Sequence, residues 1–387
     1  MGLLETILFI PPVYDETLSV KQLTYIGKGT TPNFTYKEIP LPIKPNMLMI
    51  RVLTASLNAV DLQLMNTPIS MTAAQPKGIG RDFCGVIEDV GKDLKEKWRV
   101  GDKVCGMFIH VNGQGTVADH VYINPDVDRI IKVPPNLSDE EAAAFPLVLG
   151  TAMRSLAHAK LDKNSWVCIL GGATSVGQCA IQLAKNYYNV EKVVVTCSAA
   201  SSELCKKLGA DITIDYRAAA NIGDSLMYVL GQKSVESNDF TYTNQPGEDT
   251  APPGGKRFQL IFDCAGGTDV VFKAYQLLTP TKDGSAYVTI VGDSKTSSDK
   301  AGGPTSYFYN TAMVGRKFMS STGMSGVNYI VEWVAPGDWL DKAYDLMLER
   351  TVTVKIDSVY DWNDWKSAIK KLESHKNKGK IVLKVSI

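Results

Sequence analysis

The chain has 387 residues, 44% hydrophobic and 21% charged, with 41 Lys plus Arg balanced by 41 Asp plus Glu. That length exceeds one ordinary core and predicts two domains. Zero formal net charge excludes the cation excess a nucleic-acid binder needs to displace counterions, and no apolar run reaches the roughly 18 residues a membrane span requires.

The N-terminal stretch MGLLETILFIPPVYDET lacks the basic region and cleavage site of a secretory signal. It fits the N-myristoylation pattern through Gly2 and Thr6. The alternative is an unmodified arm that packs Leu3, Leu4, Ile7 and Phe9 on the body. Short apolar or alternating runs follow at 47–57, 84–91 and 103–109, broken by Gly, Pro and Asp, and predict a β-rich region. At 139–158 the pattern becomes helical, with Ser138 placed as an N-cap before acidic first-turn residues.

From there to about 320, strand and helix signals alternate. Strands are predicted at 166–170, 192–197, 211–216, 258–266 and 285–293, and helices after the glycine turn at 171–177 and over 201–209. Such alternation indicates a doubly wound parallel sheet, a Rossmann arrangement in an α/β protein. The polar, Pro- and Gly-rich stretch 234–257 reads as a long surface loop. The last segment returns to mixed pieces: helix at 343–350, extended chain at 351–360, an amphipathic helix at 362–374 and a strand at 379–385. The first domain is therefore expected to be discontinuous, 1–155 with 322–387, around a dinucleotide domain at 156–321.

The seven cysteines, Cys84, Cys105, Cys168, Cys179, Cys197, Cys205 and Cys264, are scattered and never spaced as CxxC. They read as small buried hydrophobes in a reducing compartment, which excludes a disulfide framework and a four-cysteine zinc lobe.

The chemistry-bearing motif is GGATSVG at 171–177. Gly171 and Gly172 follow a strand directly, and Gly177 sits where the helix must pack closely on the sheet. Backbone N–H groups at the helix start, by Thr174, Ser175 and Val176, suit a pyrophosphate, and Thr174 and Ser175 can add hydroxyl donors. Thr174 replaces the usual central glycine, and its Cβ limits close approach. A purely structural turn is the alternative. The second strand ends TCSAAS, where an NAD enzyme places an acid for the ribose 2′-OH. Thr196, Cys197 and Ser198 are uncharged, Ser198 and Ser201 can donate to a 2′-phosphate, and Tyr216 and Arg217 add a phenol and a cation. NADPH is the expected cofactor, unless the serines only cap the next helix.

GGATSVGQCAIQLAKN, with LNAVDL (57–62), GRDFCGVI (80–87), GDKVCGM (101–107), EEAAAFPLVLGTA (140–152) and GKIVLKV, resembles, in order, the quinone-oxidoreductase and enoyl-reductase branch of the medium-chain dehydrogenase/reductase superfamily. GRDFCGVI, KWRVGDKVCGMF and IDSVYDW look closest to fungal Yim/Ast-like proteins. The resemblance implies a GroES-like β-rich catalytic domain beside the Rossmann domain. Zinc members place a Cys in the segment matching Asn58–Asp61 and a His in that matching Gly80–Phe83. Here Arg81 stands at the His position, and His110, His120, His158 and His375 have no partner at ligand spacing, so no metal is expected.

Asn58 and Asp61 match the Asn-x-x-Asp of zinc-free quinone reductases, or serve only as turn and cap residues. The tyrosine usual two positions later is Gln63 here. Thr151 matches a residue close to the nicotinamide, while Gly266, Gly267, Val291 and Gly292 match strand ends beside it, with backbone packing as the alternative. Hydride transfer to a quinone, enone or enoyl-type electrophile is the implied reaction, with Asn58, Asp61 and Arg81 as catalytic candidates. The rivals are a trans-acting enoyl reductase and a non-catalytic, membrane-peripheral trafficking or scaffold protein that keeps the fold. Expected partners are a small electrophilic substrate, a second copy as a homodimer and, through Gly2, weak membrane contact for a mainly cytoplasmic protein.

Overall fold

A computed structural model of the chain describes residues 16–68, 74–110, 113–231, 255–293 and 310–386. Gly2, Thr6 and the apolar residues near them lie outside these, as do residues 234–254 of the expected surface loop.

The first domain runs through β1 (Glu16–Tyr25), β2 (Asn33–Leu41), β3 (Leu48–Leu57), α1 (Ala59–Met65), β4 (Lys77–Gly78), β5 (Asp82–Val90), β6 (Lys103–Met107), β7 (His120–Ile123) and β8 (Ile130–Lys132). Then come α2 (Asp139–Ala144) and α3 (Pro146–Leu156). The sequence suggests one helix here, and the structure divides it at Phe145, because Pro146 has no N–H to continue the α2 ladder. Ser138 caps α2 as expected: its Oγ accepts from Glu141 N at 3.2 Å, and Glu141 Oε2 accepts from Ser138 N at 3.0 Å.

Six parallel strands follow: β9 (Trp166–Leu170), β10 (Lys192–Cys197), β11 (Ile212–Asp215), β12 (Leu260–Asp263), β13 (Ala286–Thr289) and β14 (Tyr329–Val331). Their order is β11-β10-β9-β12-β13-β14, with α4 (Ser175–Gln182), α5 (Ala199–Lys207) and α6 (Ile222–Val229) among the connections. The chain moves one way from β9 and then returns to build outward from β12, so the fork between β9 and β12 is the topological switch point where such sheets take ligands. The sheet also extends past residue 321, the boundary expected from sequence, because Tyr329–Val331 pairs in parallel with β13. A three-residue strand gives too short a run to separate from the helix before it.

The chain closes through β15 (Ile356–Asp361) and β16 (Lys380–Lys384), and β16 pairs with β3. The first domain is thereby discontinuous: its seven-stranded sheet runs β15-β16-β3-β5-β6-β8, with β7 also on β3.

Burial follows strand alternation. Val167 and Ile169 face one apolar cluster with Ala152, Cys179 and Ala180, while Cys168 faces another with Leu226 and Val229. The first cluster also holds Met107, Val354 and Val382, so one core joins the two domains. All seven cysteines are buried and free. Among the described residues no helix is long and apolar enough to cross a membrane.

Candidate active site

The glycine turn lies at the fork. Gly171 has φ +82°, the left-handed region, and its N–H is held by Thr196, whose Oγ1 accepts at 2.9 Å and whose carbonyl accepts at 3.1 Å. A Cβ on Gly172 would lie 2.0 Å from Val195 Cγ1, and one on Gly177 would lie 2.5 Å from the Gly171 carbonyl. Both glycines therefore let α4 sit against the sheet. Thr174 is the α4 N-cap: Oγ1 accepts from Gly177 N at 3.0 Å and donates to the Gly171 carbonyl at 2.9 Å. Its hydroxyl is spent on the turn. The N–H groups of Ser175 and Val176, in the first turn, have no acceptor within the helix. A strand end, a glycine turn and two such N–H groups form a donor set that fits a dinucleotide pyrophosphate.

Thr196, uncharged at the end of the second strand, ties that strand to the turn. Ser198 begins α5 without a side-chain cap bond, and its hydroxyl instead donates to Ser201 Oγ at 3.3 Å. Ser198 thus holds the N-cap position of α5 with its backbone, while its hydroxyl makes no cap bond. Tyr216 is half exposed, and Arg217 Nε donates to its hydroxyl at 3.3 Å. No carboxylate occupies the end of β10.

The other ends at the fork come from β12 and β13. Gly266, Gly267 and Gly292 all have positive φ, of 77°, 100° and 77°. A Cβ on Gly171 would touch Ala265 Cβ at 3.2 Å, so the β9 and β12 turns are neighbours. Val291 and Gly292 donate to Thr289 Oγ1 at 3.3 and 2.9 Å. Thr151, on α3, is buried, and its hydroxyl donates to the Leu147 carbonyl at 2.7 Å.

The three catalytic candidates come together in one buried polar network with partners that sequence reasoning missed. Asp82 Oδ2 accepts from Asn58 Nδ2 at 2.8 Å and from Ser56 Oγ at 3.0 Å, with Lys380 Nζ at 3.2 Å. Lys380 also donates to Asn58 Oδ1. Asp82 Oδ1 accepts from Leu147 N at 2.8 Å, fixing the start of α3 to β5. Next to this, Asp61 accepts from Asn58 N at 2.8 Å and Gly80 N at 3.0 Å, and its Oδ1 lies 3.3 Å from Arg81 Nε. Arg81 donates to the carbonyls of Gly78 at 2.9 Å and His110 at 3.4 Å and is 0% exposed. Burial pushes the Asp61 carboxyl above the usual carboxylate range, against the opposing pull of Arg81 and the two backbone N–H groups.

GKIVLKV carried the Lys380 signal as a motif, but 298 positions separate Lys380 from Asp82 and no local pattern links them. For zinc, the donor chemistry does not fit: an amide and a cation stand where zinc enzymes place Cys and His. Among the described residues no three His, Cys, Asp or Glu side chains cluster to hold a metal ion.

Comparison with known proteins agrees with this architecture. Residues 44–135 match the family model described as the alcohol dehydrogenase GroES-like domain, and 208–383 match the one described as zinc-binding dehydrogenase. Protein YIM1 of Saccharomyces cerevisiae is 31% identical over 396 positions, covering 96% of this chain and 99% of that protein. The quinone oxidoreductase from Coxiella burnetii superposes with TM-score 0.71 at 23% identity, covering 95% of this chain and 100% of that one. CurK enoyl reductase does so with TM-score 0.70 at 18% identity, covering 95% and 99%. The chain belongs to the medium-chain dehydrogenase/reductase superfamily of oxidoreductases, among the fungal Yim-like proteins.

Proposed function

We propose that this protein is an NADPH-dependent, zinc-independent reductase of a quinone, enone or enoyl-type electrophile. The observation that supports the reading is the acid-free end of β10: Ser198 and Ser201 follow it at the start of α5, and their hydroxyls bond to each other rather than to the helix backbone, so a 2′-phosphate there would meet two hydroxyls and no carboxylate of that strand. The turn at Gly171–Gly177 would hold the pyrophosphate through the N–H groups of Ser175 and Val176, and the strand ends at Gly266 and Val291–Gly292, with Thr151, would hold the nicotinamide.

A bound reduced nicotinamide supplies the hydride, so the protein's part is to orient the substrate, exclude water and stabilise charge. Asn58 spends one Nδ2–H on Asp82, and in this reading the second would donate to a substrate oxygen as it gains charge. Asp61 and Arg81 form an ion pair, and each hydrogen-bonds to backbone. Their role in this reading is to hold the turns at Asn58 and Gly80 in place rather than to contact substrate. Solvent supplies the proton.

NADPH is expected to bind at least about tenfold more tightly than NADH, a difference of about 1.4 kcal/mol. Equal affinities measured by titration would sink the cofactor assignment. If Gly2 carries a myristoyl chain, one chain gives only marginal attachment, with a constant on the order of 10⁴ M⁻¹. The protein is then mainly cytosolic, and Gly2→Ala releases any membrane fraction.

A further inference from the structure

Asp263 closes β12 at the fork, and nothing in the local sequence marks it as a site residue. It is 1% exposed, yet no cation pairs with it in the hydrogen bonds and ion pairs of the described residues. Four donors meet its carboxylate instead. Oδ1 accepts from Ala265 N at 3.0 Å and Gly266 N at 2.8 Å. Oδ2 accepts from the hydroxyls of Tyr287 and Thr289, both at 3.2 Å. Thr289 is the direct register partner of Asp263 across β12 and β13, and its Oγ1 in turn accepts from Val291 N and Gly292 N. Burial pushes the Asp263 carboxyl above the usual carboxylate range, against these four hydrogen bonds.

A carboxylate is an expensive way to close one turn, since burying it costs several kcal/mol unless its lone pairs are met. What it offers over Asn is acceptor capacity on both oxygens, so one group can receive donors from two strands at once. Here one set of donors is the turn at Ala265–Gly266, and the other is the pair of β13 hydroxyls, Tyr287 and Thr289, of which Thr289 also holds the Val291 and Gly292 N–H groups.

We infer that Asp263 is a positioning residue for the nicotinamide half of the cofactor, acting through Gly266 on one side and through Thr289 on Val291 and Gly292 on the other. The inference rests on the cofactor reading above and goes beyond it, because it assigns the spacing of the two turns to one carboxylate. A misplacement of about 1 Å at the reacting groups, even from a change far from them, costs on the order of a hundredfold in rate. The adenine half of the site, built from β10 and α5, shares none of these bonds.

That separation gives the test. Wild type, Asp263→Asn, Thr289→Val and Thr289→Ser are compared for binding of NADPH and NADH, read by the fluorescence of the bound reduced nicotinamide. The same proteins are titrated with 2′,5′-ADP and ADP-ribose, which carry no nicotinamide. We expect Asp263→Asn and Thr289→Val to lower dinucleotide affinity or bound-nicotinamide fluorescence by at least about tenfold while fragment affinity stays within about twofold. Thr289→Ser, which keeps the hydroxyl, recovers most of the loss. Fragment affinity that falls in step with the dinucleotide, or dinucleotide binding unchanged in Thr289→Val, overturns the inference. If Asp263→Asn does not fold, the two Thr289 variants decide it alone. A wild type that binds neither dinucleotide refutes the cofactor reading itself and this assignment with it, whereas a binding wild type with indiscriminate variants refutes only this assignment.

Discussion

Lys380, on the last strand, donates to the carboxamide oxygen of Asn58, 322 positions earlier, and lies 3.2 Å from the Asp82 carboxylate that Asn58 also contacts. The pair closes the discontinuous domain at the point where α3 begins, because the other Asp82 oxygen holds Leu147 N. All three side chains are buried, so the arrangement exchanges hydration for mutual hydrogen bonds.

Replacing Lys380 with Met leaves the Asp82 carboxylate buried without its cation. Breaking such a pair costs about 3–5 kcal/mol. Denaturant unfolding should show that loss, and the double variant Lys380→Met with Asp82→Leu should recover part of it. A loss below about 1 kcal/mol, the size of a surface pair, would mean that the network does not hold the domain closed.

Ser198→Asp places a carboxylate where the 2′-phosphate is expected. The preference for NADPH over NADH should shrink by at least about tenfold, or reverse, because like charges now face each other. Competitive titration of both cofactors checks this, and an unchanged ratio would remove Ser198 from the site.

The helices and central strands could be read from the sequence because their signals are local. WVCIL, the glycine turn and the Ser138 cap each announce an element within a few residues. The site was legible in outline only. Thr196, Asp82, Lys380 and Asp263 each act through partners on other strands, and strand pairing across long separations leaves no mark on a single sequence. β14 was missed for a related reason: at three residues it has almost no pattern, and its partner β13 defines it. The expected single helix at 139–158 failed at Pro146, where its missing N–H decides the boundary.

His120 makes stability depend on pH. Burial pulls its imidazole down, but hydrogen bonds from its ring to Asp119 at 3.2 Å and Glu88 at 2.9 Å outweigh this, so its pKa lies above the ordinary 6.5. A raised folded value means that the stabilisation is fully present below about pH 6.5 and is lost as pH rises through the folded value. His120→Gln should flatten this part of the stability profile. A wild-type profile that rises with pH through that window would contradict the assignment.

Metal analysis should find no stoichiometric zinc in the purified protein, and chelators should leave its activity unchanged. The reason is the donor set: Asn58 and Arg81 bond to Asp82, Lys380, Asp61 and backbone carbonyls, and Arg81 carries the wrong charge for a zinc ligand. One zinc per chain that survives chelation would overturn the zinc-independent reading.

The central claim is hydride transfer from NADPH to an electrophilic alkene or quinone at the fork between β9 and β12. The most direct measurement is turnover of NADPH, with NADH alongside, against a panel of quinones, enones and enoyl thioesters. The account predicts catalytic consumption of NADPH with at least one class, at a kcat/KM at least about tenfold above that with NADH. Tight NADPH binding with no turnover on any member of the panel would contradict it, and would point to a scaffold that keeps the cofactor site without the reaction.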